Sequence, residues 1–349
     1  MRMRWGVAVL LMGLPALNPA GWAQLAPSPD APPVSTAPDT SNEDEPATTL
    51  KLNVNLVDVV FSVEDKSGNL VPHLTQADCT VSEDKAPQTL KNFAAETHLP
   101  LTLGILLDTS GSQQRVLSLE QDVGSQFLER VLKSKDEAFL LSFDVDVDLL
   151  QDYTNNPRLL ARAMSKAEIN TAGGNGAAGI PGAGGGTVPT IGAPKGTVLY
   201  DAVYQAAKQK MSQESGRKAM ILLTDGEDEG SSVKINDAIA AAQKSNVIVY
   251  VILIADRGFY GGFGYSGYSA MKKLTEETGG RLIDVGNNGK KLEAAFQQIE
   301  DELRTQYVAS YTPTNTKLDG SFRKIGVECR GDGLKVRVRK GYYAVAAEN

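Results

Sequence analysis

The segment Leu101-Thr102-Leu103-Gly104-Ile105-Leu106-Leu107-Asp108-Thr109-Ser110-Gly111-Ser112 opens almost wholly apolar and ends in small polar residues. An unbroken apolar run of this length is expected of a strand buried on both faces of a parallel sheet. Working outward, Val116, Leu119, Val123, Phe127, Leu128 and Val131 recur with helical spacing over 115–132. Further apolar strands are read at 138–143, 219–223, 247–254 and 282–285, with a short edge strand at 147–150. Helices are read from Pro157 through Met164 and Ala167, over 198–211, around 238–242, over 269–278 and over 291–306. Strands alternating with helices predict a doubly wound α/β domain with a mostly parallel sheet over 96–305.

The flanks have a different pattern. Leu52, Val54 and Leu56, then Val59, Phe61 and Val63, alternate, and turn signals follow at 65–69 and 83–85. Residues 50–95 read as a small antiparallel unit. Strands are also read at 307–311, 322–327 and 334–338, with Gly331-Asp332-Gly333 as a hairpin-like turn between the last two. Neither flank holds enough strands to bury a core alone, so the strands of 306–345 are expected to pack with 50–95 into one β-sandwich-like unit. In that arrangement Cys79 and Cys329, the two cysteines, face one interior and form a candidate disulfide; the competing reading is two separate buried thiols.

Residues 1–23 begin Met-Arg-Met-Arg, continue through an apolar run from Trp5 to Leu14 and end in small residues at Gly21-Trp22-Ala23. This order predicts a signal peptide, cleaved to leave Gln24 first, and therefore export to the periplasm or the extracellular space. The run is too short to span a bilayer as an ordinary helix, and no later segment is apolar for long enough, so no transmembrane segment is expected after cleavage. Residues 24–49 have the composition of a disordered linker. The Gly-rich segments 173–196 and 258–268 read as loops. A net charge of −7 without a basic patch argues against nucleic acid as a partner.

Three segments carry candidate chemistry. Asp108, Ser110 and Ser112 follow the first strand, Thr197 opens a helix, and Asp225 follows the strand at 219–223. In a doubly wound sheet, ligands bind at the carboxyl ends of strands. Three hydroxyls and two carboxylates, with no nearby His or Cys, suit a hard cation such as Mg²⁺ and argue against zinc. The alternative is ordinary strand ends, with Thr197 capping its helix.

Taken in order, these residues resemble the metal-ion-dependent adhesion site of the von Willebrand factor type A family, in which Asp-x-Ser-x-Ser, a Thr and an Asp come from three loops. The resemblance covers about 95–305 and implies a type A, Rossmann-like fold. It also implies one Mg²⁺ (or Mn²⁺ or Ca²⁺) with an open position for an Asp or Glu carboxylate of a protein or peptide partner. The insertion before Thr197 is longer than the family usually shows. The flanks further resemble a secreted subgroup typical of acidobacteria, through Leu74-Thr75-Gln76-Ala77-Asp78, Glu83-Asp84, Gln88 and Arg339-Lys340-Gly341-Tyr342-Tyr343.

Enzyme readings fit poorly. The aspartic-protease pattern fails because Asp108-Thr109-Ser110-Gly111 is one residue too long. A dehalogenase-type phosphatase needs an Asp where Ser110 stands. A serine hydrolase needs a base, and the two histidines, His73 and His98, lie outside the α/β core that begins at Leu99. The expectation is a non-catalytic adhesion protein, with a structural or assembly subunit of a cell-envelope complex as the alternative. Asp144, Asp146 and Asp148 lack the Gly and distal Glu of an EF-hand and are expected on one solvated strand face; Glu227-Asp228-Glu229 is expected to be an exposed acidic loop.

Overall fold

The computed structural model describes residues 56–95, 99–170, 196–255 and 267–345. The expected leader 1–23, the linker 24–49 and nearly all of the Gly-rich segments 173–196 and 258–268 lie outside the described residues.

In chain order the strands are β1 (Val57–Glu64), β2 (Cys79–Glu83), β3 (Ala86–Gln88), β4 (Leu90–Ala95), β5 (Leu101–Asp108), β6 (Glu137–Phe143), β7 (Val147–Thr154), β8 (Arg217–Thr224), β9 (Val247–Leu253), β10 (Leu282–Asp284), β11 (Tyr307–Tyr311), β12 (Phe322–Cys329), β13 (Lys335–Val338) and β14 (Gly341–Tyr343). The helices are α1 (Leu117–Val131), α2 (Pro157–Met164), α3 (Leu199–Gln205), α4 (Ile235–Lys244), α5 (Gly267–Thr278) and α6 (Gly289–Arg304).

β5 is central because every one of its residues is buried, as the apolar run requires. It pairs in parallel with β6 on one side and β8 on the other, in the order β10-β9-β8-β5-β6-β7. Only the edge strand β7 is antiparallel among these six. The chain winds outward from β5 in both directions, so the order reverses between β5 and β8. That switch point opens a crevice at the carboxyl ends of the two strands.

Helices cover both faces. Leu103, Ile105 and Leu107 pack with Phe127 of α1, Leu160 of α2 and Phe296 of α6. Leu106, Met220 and Leu222 pack with Val203 of α3, Ala242 of α4 and Met271 of α5. Local chemistry sets the helix starts: Pro157 occupies the first turn of α2 while Asn156 Oδ1 accepts the Arg158 N–H at 3.1 Å. Asn288 caps α6 in the same way, accepting from Lys291 N at 3.1 Å.

The flanking strands form two four-stranded sheets, β13-β1-β11-β4 and β14-β12-β2-β3, each mixing N- and C-terminal strands. Val59, Phe61, Val63, Val81, Tyr307, Tyr311, Ile325 and Val327 share their core. One expectation changes in detail. Gly331-Asp332-Gly333 does not join neighbouring strands, since β12 pairs with β2 and β14 while β13 pairs with β1. A turn signal marks where the chain reverses, not which sheet edge receives the next strand. Cys79 and Cys329 are directly opposed in the β2–β12 ladder, with Cα atoms 4.0 Å apart, and are joined as a disulfide.

No helix among the described residues is long and apolar enough to cross a membrane.

Candidate metal centre

Asp108 is the last residue of β5 and is completely buried. Its Oδ1 accepts the Ser110 N–H at 3.0 Å and the Ser110 hydroxyl at 2.6 Å. The Ser110 and Ser112 Oγ atoms lie 3.0 Å apart. This follows from local sequence: small residues after the strand let the chain turn back so that the Ser110 hydroxyl returns to the Asp108 carboxylate and the Ser112 hydroxyl reaches Ser110. Asp108 Oδ2 accepts from the Thr224 hydroxyl at 2.6 Å, which ties the end of β5 to the end of β8. Thr224 Oγ1 in turn accepts the Gly226 N–H at 2.9 Å.

Asp225 therefore sits across the switch point from Asp108 and is also buried. Gly226 has φ +85°, and a Cβ there would approach Met271 and the Gly267 carbonyl at 2.9 and 3.1 Å. A glycine at this position lets the loop turn sharply against α5. Ser110 and Ser112 are half-buried, so the cluster is closed toward the sheet and reachable from outside.

Thr197 is held by main-chain hydrogen bonds to a neighbouring loop. Its carbonyl accepts from Glu229 N and Gly230 N, both at 3.1 Å, and the next residue, Val198, donates its N–H to Asp144 O at 2.7 Å. The alternative reading of Thr197 as a helix cap is not met: α3 starts after Val198, with no side-chain cap. The structure thus brings Asp108, Ser110, Ser112 and Asp225 together at the ends of two adjacent strands. It fixes the Thr197 backbone against Glu229 and Gly230.

Several residues read as solvated have other work. Asp144 lies in the turn before β7, not on its face, and accepts from Thr109 Oγ1 and Asn170 Nδ2, both at 2.9 Å; Asp146 and Asp148 are exposed. The acidic loop 227–229 is only partly exposed. Asp228 Oδ1 accepts from Tyr200 N at 3.0 Å and from Ser231 Oγ, and Glu227 Oε1 accepts from Gly267 N at 2.9 Å. Asp201 holds the same loop from the other side, accepting from Ser232 N and Val233 N at 2.9 Å each. Short carboxylates flanked by Gly and Ser were the available signal, because such residues commonly bind nearby backbone N–H groups.

Electrostatics show what this arrangement can hold. Burial, and then the charge of Asp225, push the Asp108 carboxyl up to about 7, against hydrogen bonds from Ser110 and Thr224 that favour its ionised form. Glu120 of α1, which sequence reading passed over as part of a helix, is fully buried, and neither carboxyl oxygen has a hydrogen-bond partner in the protein. Crowded buried carboxyls are relieved by a cation. Among the described residues no three His, Cys, Asp or Glu side chains form a metal-holding group by themselves. A cation here needs hydroxyl oxygens and waters in its shell, which suits a hard divalent ion.

Residues 191–298 match the family model of the von Willebrand factor type A domain. The matched span includes Thr197 and Asp225 and begins after Asp108–Ser112. No curated protein matches the chain by sequence. Solved structures with a similar fold include the conserved hypothetical protein BatB from Bacteroides thetaiotaomicron, with 17% identity and a TM-score of 0.42 over 58% of this chain and 99% of that one. An aerotolerance-related membrane protein from Bacteroides fragilis has 18% identity and a TM-score of 0.40, over 58% and 98%. Proximal thread matrix protein 1 from the mussel byssus, in a structure described as having a zinc-occupied MIDAS motif, has 14% identity and a TM-score of 0.45, over 64% and 50%.

Proposed function

We propose that this chain is an exported, non-catalytic binding protein whose type A domain holds one divalent cation, Mg²⁺ or in its place Mn²⁺ or Ca²⁺. Asp108, Ser110, Ser112, Thr197 and Asp225 would supply the oxygens, directly or through water. An open position on the solvent side would take an Asp or Glu carboxylate from a partner protein or peptide. The observation that carries this reading is the Asp108–Ser110–Ser112 hydrogen-bonded set facing buried Asp225 at the switch point. Neutral hydroxyls in the inner shell leave the ion electrophilic, which is what recruits an outside carboxylate. The Ser110 hydroxyl is engaged by Asp108, and His73 is exposed in the segment between β1 and β2, an arrangement that supports binding over nucleophilic catalysis.

Mg²⁺ is expected to raise the melting temperature, since a ligand at a hundred times its dissociation constant stabilises the native state by about 2.7 kcal/mol. Asp225→Ala should remain folded and lose the response. The effect should also grow with pH. Asp108 is raised in the fold, so between its unfolded value and about 7 the metal-free native state binds more protons than the unfolded chain. Its contribution to metal-free stability therefore falls as pH rises through that window and levels off above it, while a cation competes with the proton. Calorimetric melts with and without Mg²⁺ from acid to mildly alkaline pH check this. An equal response in wild type and Asp225→Ala would reject the site. Divalent-dependent capture of a carboxylate-bearing partner supports adhesion; capture indifferent to chelator supports an assembly subunit instead.

Export rests on the order of residues 1–23. N-terminal sequencing of the protein recovered outside the cytoplasm should begin at or near Gln24, and an intact Met1 in that pool would contradict it.

A further inference from the structure

Glu120 lies in the first turn of α1, the helix that follows the Asp108–Ser112 loop. Helix α1 leaves the carboxyl edge of the sheet and connects β5 to β6 in parallel, so its first turn stays at the edge where Asp108 stands. Gln113 secures that placement. Its Nε2 donates to Ile254 O at 3.4 Å, and Ile254 N donates to the carbonyl of Thr224, the residue before Asp225, at 2.8 Å. From Gln113 the backbone steps to Glu120 by two bonds of 3.0 Å, Val116 N to Gln113 O and Glu120 N to Val116 O. Glu120 is thus held beside the ends of β5 and β8.

Both Glu120 carboxyl oxygens and Gln113 Oε1 are buried without a hydrogen-bond partner in the protein. Buried polar groups are nearly always satisfied, so three acceptors from one short segment require an explanation. A protonated carboxyl would not supply it, since its O–H also needs an acceptor and none is paired with it. The hydrogens of water polarised by a cation suit such a set.

We propose that Glu120 is the inner, water-linked carboxylate of the cation site, a positioning residue that orients cation-bound water from the sheet side. This rests on the cation reading above. Burial, followed by the charges of Asp108 and Asp225, holds the Glu120 carboxyl well above its ordinary range, as expected where the three groups share one field. Outer-shell partners of this kind orient the inner ligands, and removing one weakens metal affinity about 10–100-fold.

The test is calorimetric titration of Mn²⁺ into the metal-free full chain, for wild type, Glu120→Gln and Glu120→Asp. Glu120→Gln keeps the side chain's size and should weaken Mn²⁺ binding by about tenfold or more. The metal-free variant should melt higher than metal-free wild type, because the neutral amide is easier to bury than the carboxyl, which also lies near Asp108 and Asp225. A merely structural Glu120 would leave the Mn²⁺ affinity unchanged. Glu120→Asp, which retains a carboxylate, should bind with intermediate strength. Equal Mn²⁺ affinity in wild type and Glu120→Gln overturns the role of Glu120 and leaves the cation site standing. If Glu120→Gln does not fold, unaltered affinity in Glu120→Asp overturns it equally. A wild type that takes up no Mn²⁺ rejects both readings.

Discussion

Reduction of the Cys79–Cys329 disulfide is expected to lower the free energy of unfolding by up to about 5 kcal/mol in the chain-entropy model. The bridge closes a sequence separation of 250 residues, which contains the whole six-stranded sheet. In the native state the two cysteines are already neighbours in the β2–β12 ladder, beside the Val81–Val327 pair. The bond therefore adds little to native packing and acts chiefly by restricting the unfolded chain. That account predicts a second signature. Without the bridge the unfolded ensemble expands, so the urea m-value should rise while the native circular dichroism spectrum stays the same. Urea titrations of oxidised protein and of Cys79→Ala/Cys329→Ala, followed by far-ultraviolet circular dichroism, measure both quantities. Non-reducing peptide mapping should return a cross-linked Cys79–Cys329 peptide. Two alkylatable thiols in denatured, unreduced protein would falsify the bridge.

Arg281→Met is expected to cost about 3–5 kcal/mol, the usual penalty for removing one partner of a buried ion pair. Arg281 stands just before β10 and joins the sandwich to the α/β sheet. Its Nε and Nη2 donate to Glu302 Oε2 of α6 at 2.9 and 2.8 Å, and Nη2 also donates to Glu64 Oε1 of β1. Glu302 Oε1 accepts from Ser62 of β1 at 3.0 Å and Tyr250 of β9 at 3.2 Å, so the network spans both layers. The Glu302 side chain is 1% exposed and that of Glu64 5%, leaving no solvent to take over from the guanidinium. Arg337 still reaches Glu64 at 3.3 Å, so most of the loss should come from Glu302. Adding Glu302→Gln to Arg281→Met should recover much of the stability, because the buried charge goes with its partner. Urea midpoints for the two single variants and the double variant test this. A loss in Arg281→Met no larger than that of an exposed Arg130→Met would show that the junction does not depend on the ion pair.

How much of this was legible in the residue order depends on the range over which each signal acts. The apolar run of β5 predicted a strand buried on both faces, and all eight of its residues are buried. Alternation at Val59, Phe61 and Val63 marked the face of β1 that enters the sandwich core. The candidate site was visible because its pieces are short and sit at strand ends: Asp108, Ser110 and Ser112 on one loop, Asp225 on another. Glu120 gave no such signal. In sequence it is one more acidic residue in the first turn of a helix, where a carboxylate is ordinarily favourable. Its burial beside Asp108 and Asp225 depends on how α1 lies across the switch point. Asp144 was misplaced for the same reason, since the groups that engage it, Thr109 and Asn170, arrive from separate loops.

Residue order alone sets the succession of elements, which faces are apolar and which loops carry the candidate site. These follow from hydrophobic period and backbone preference, which act over a few residues. Long-range packing sets the rest: β13 joins β1 rather than β12, Cys79 meets Cys329 in register, and Arg281 ties Glu64 to Glu302. A buried polar group or an open strand edge takes whichever distant partner packing delivers to it. Hydrophobic burial sets that packing without regard to direction or sequence separation.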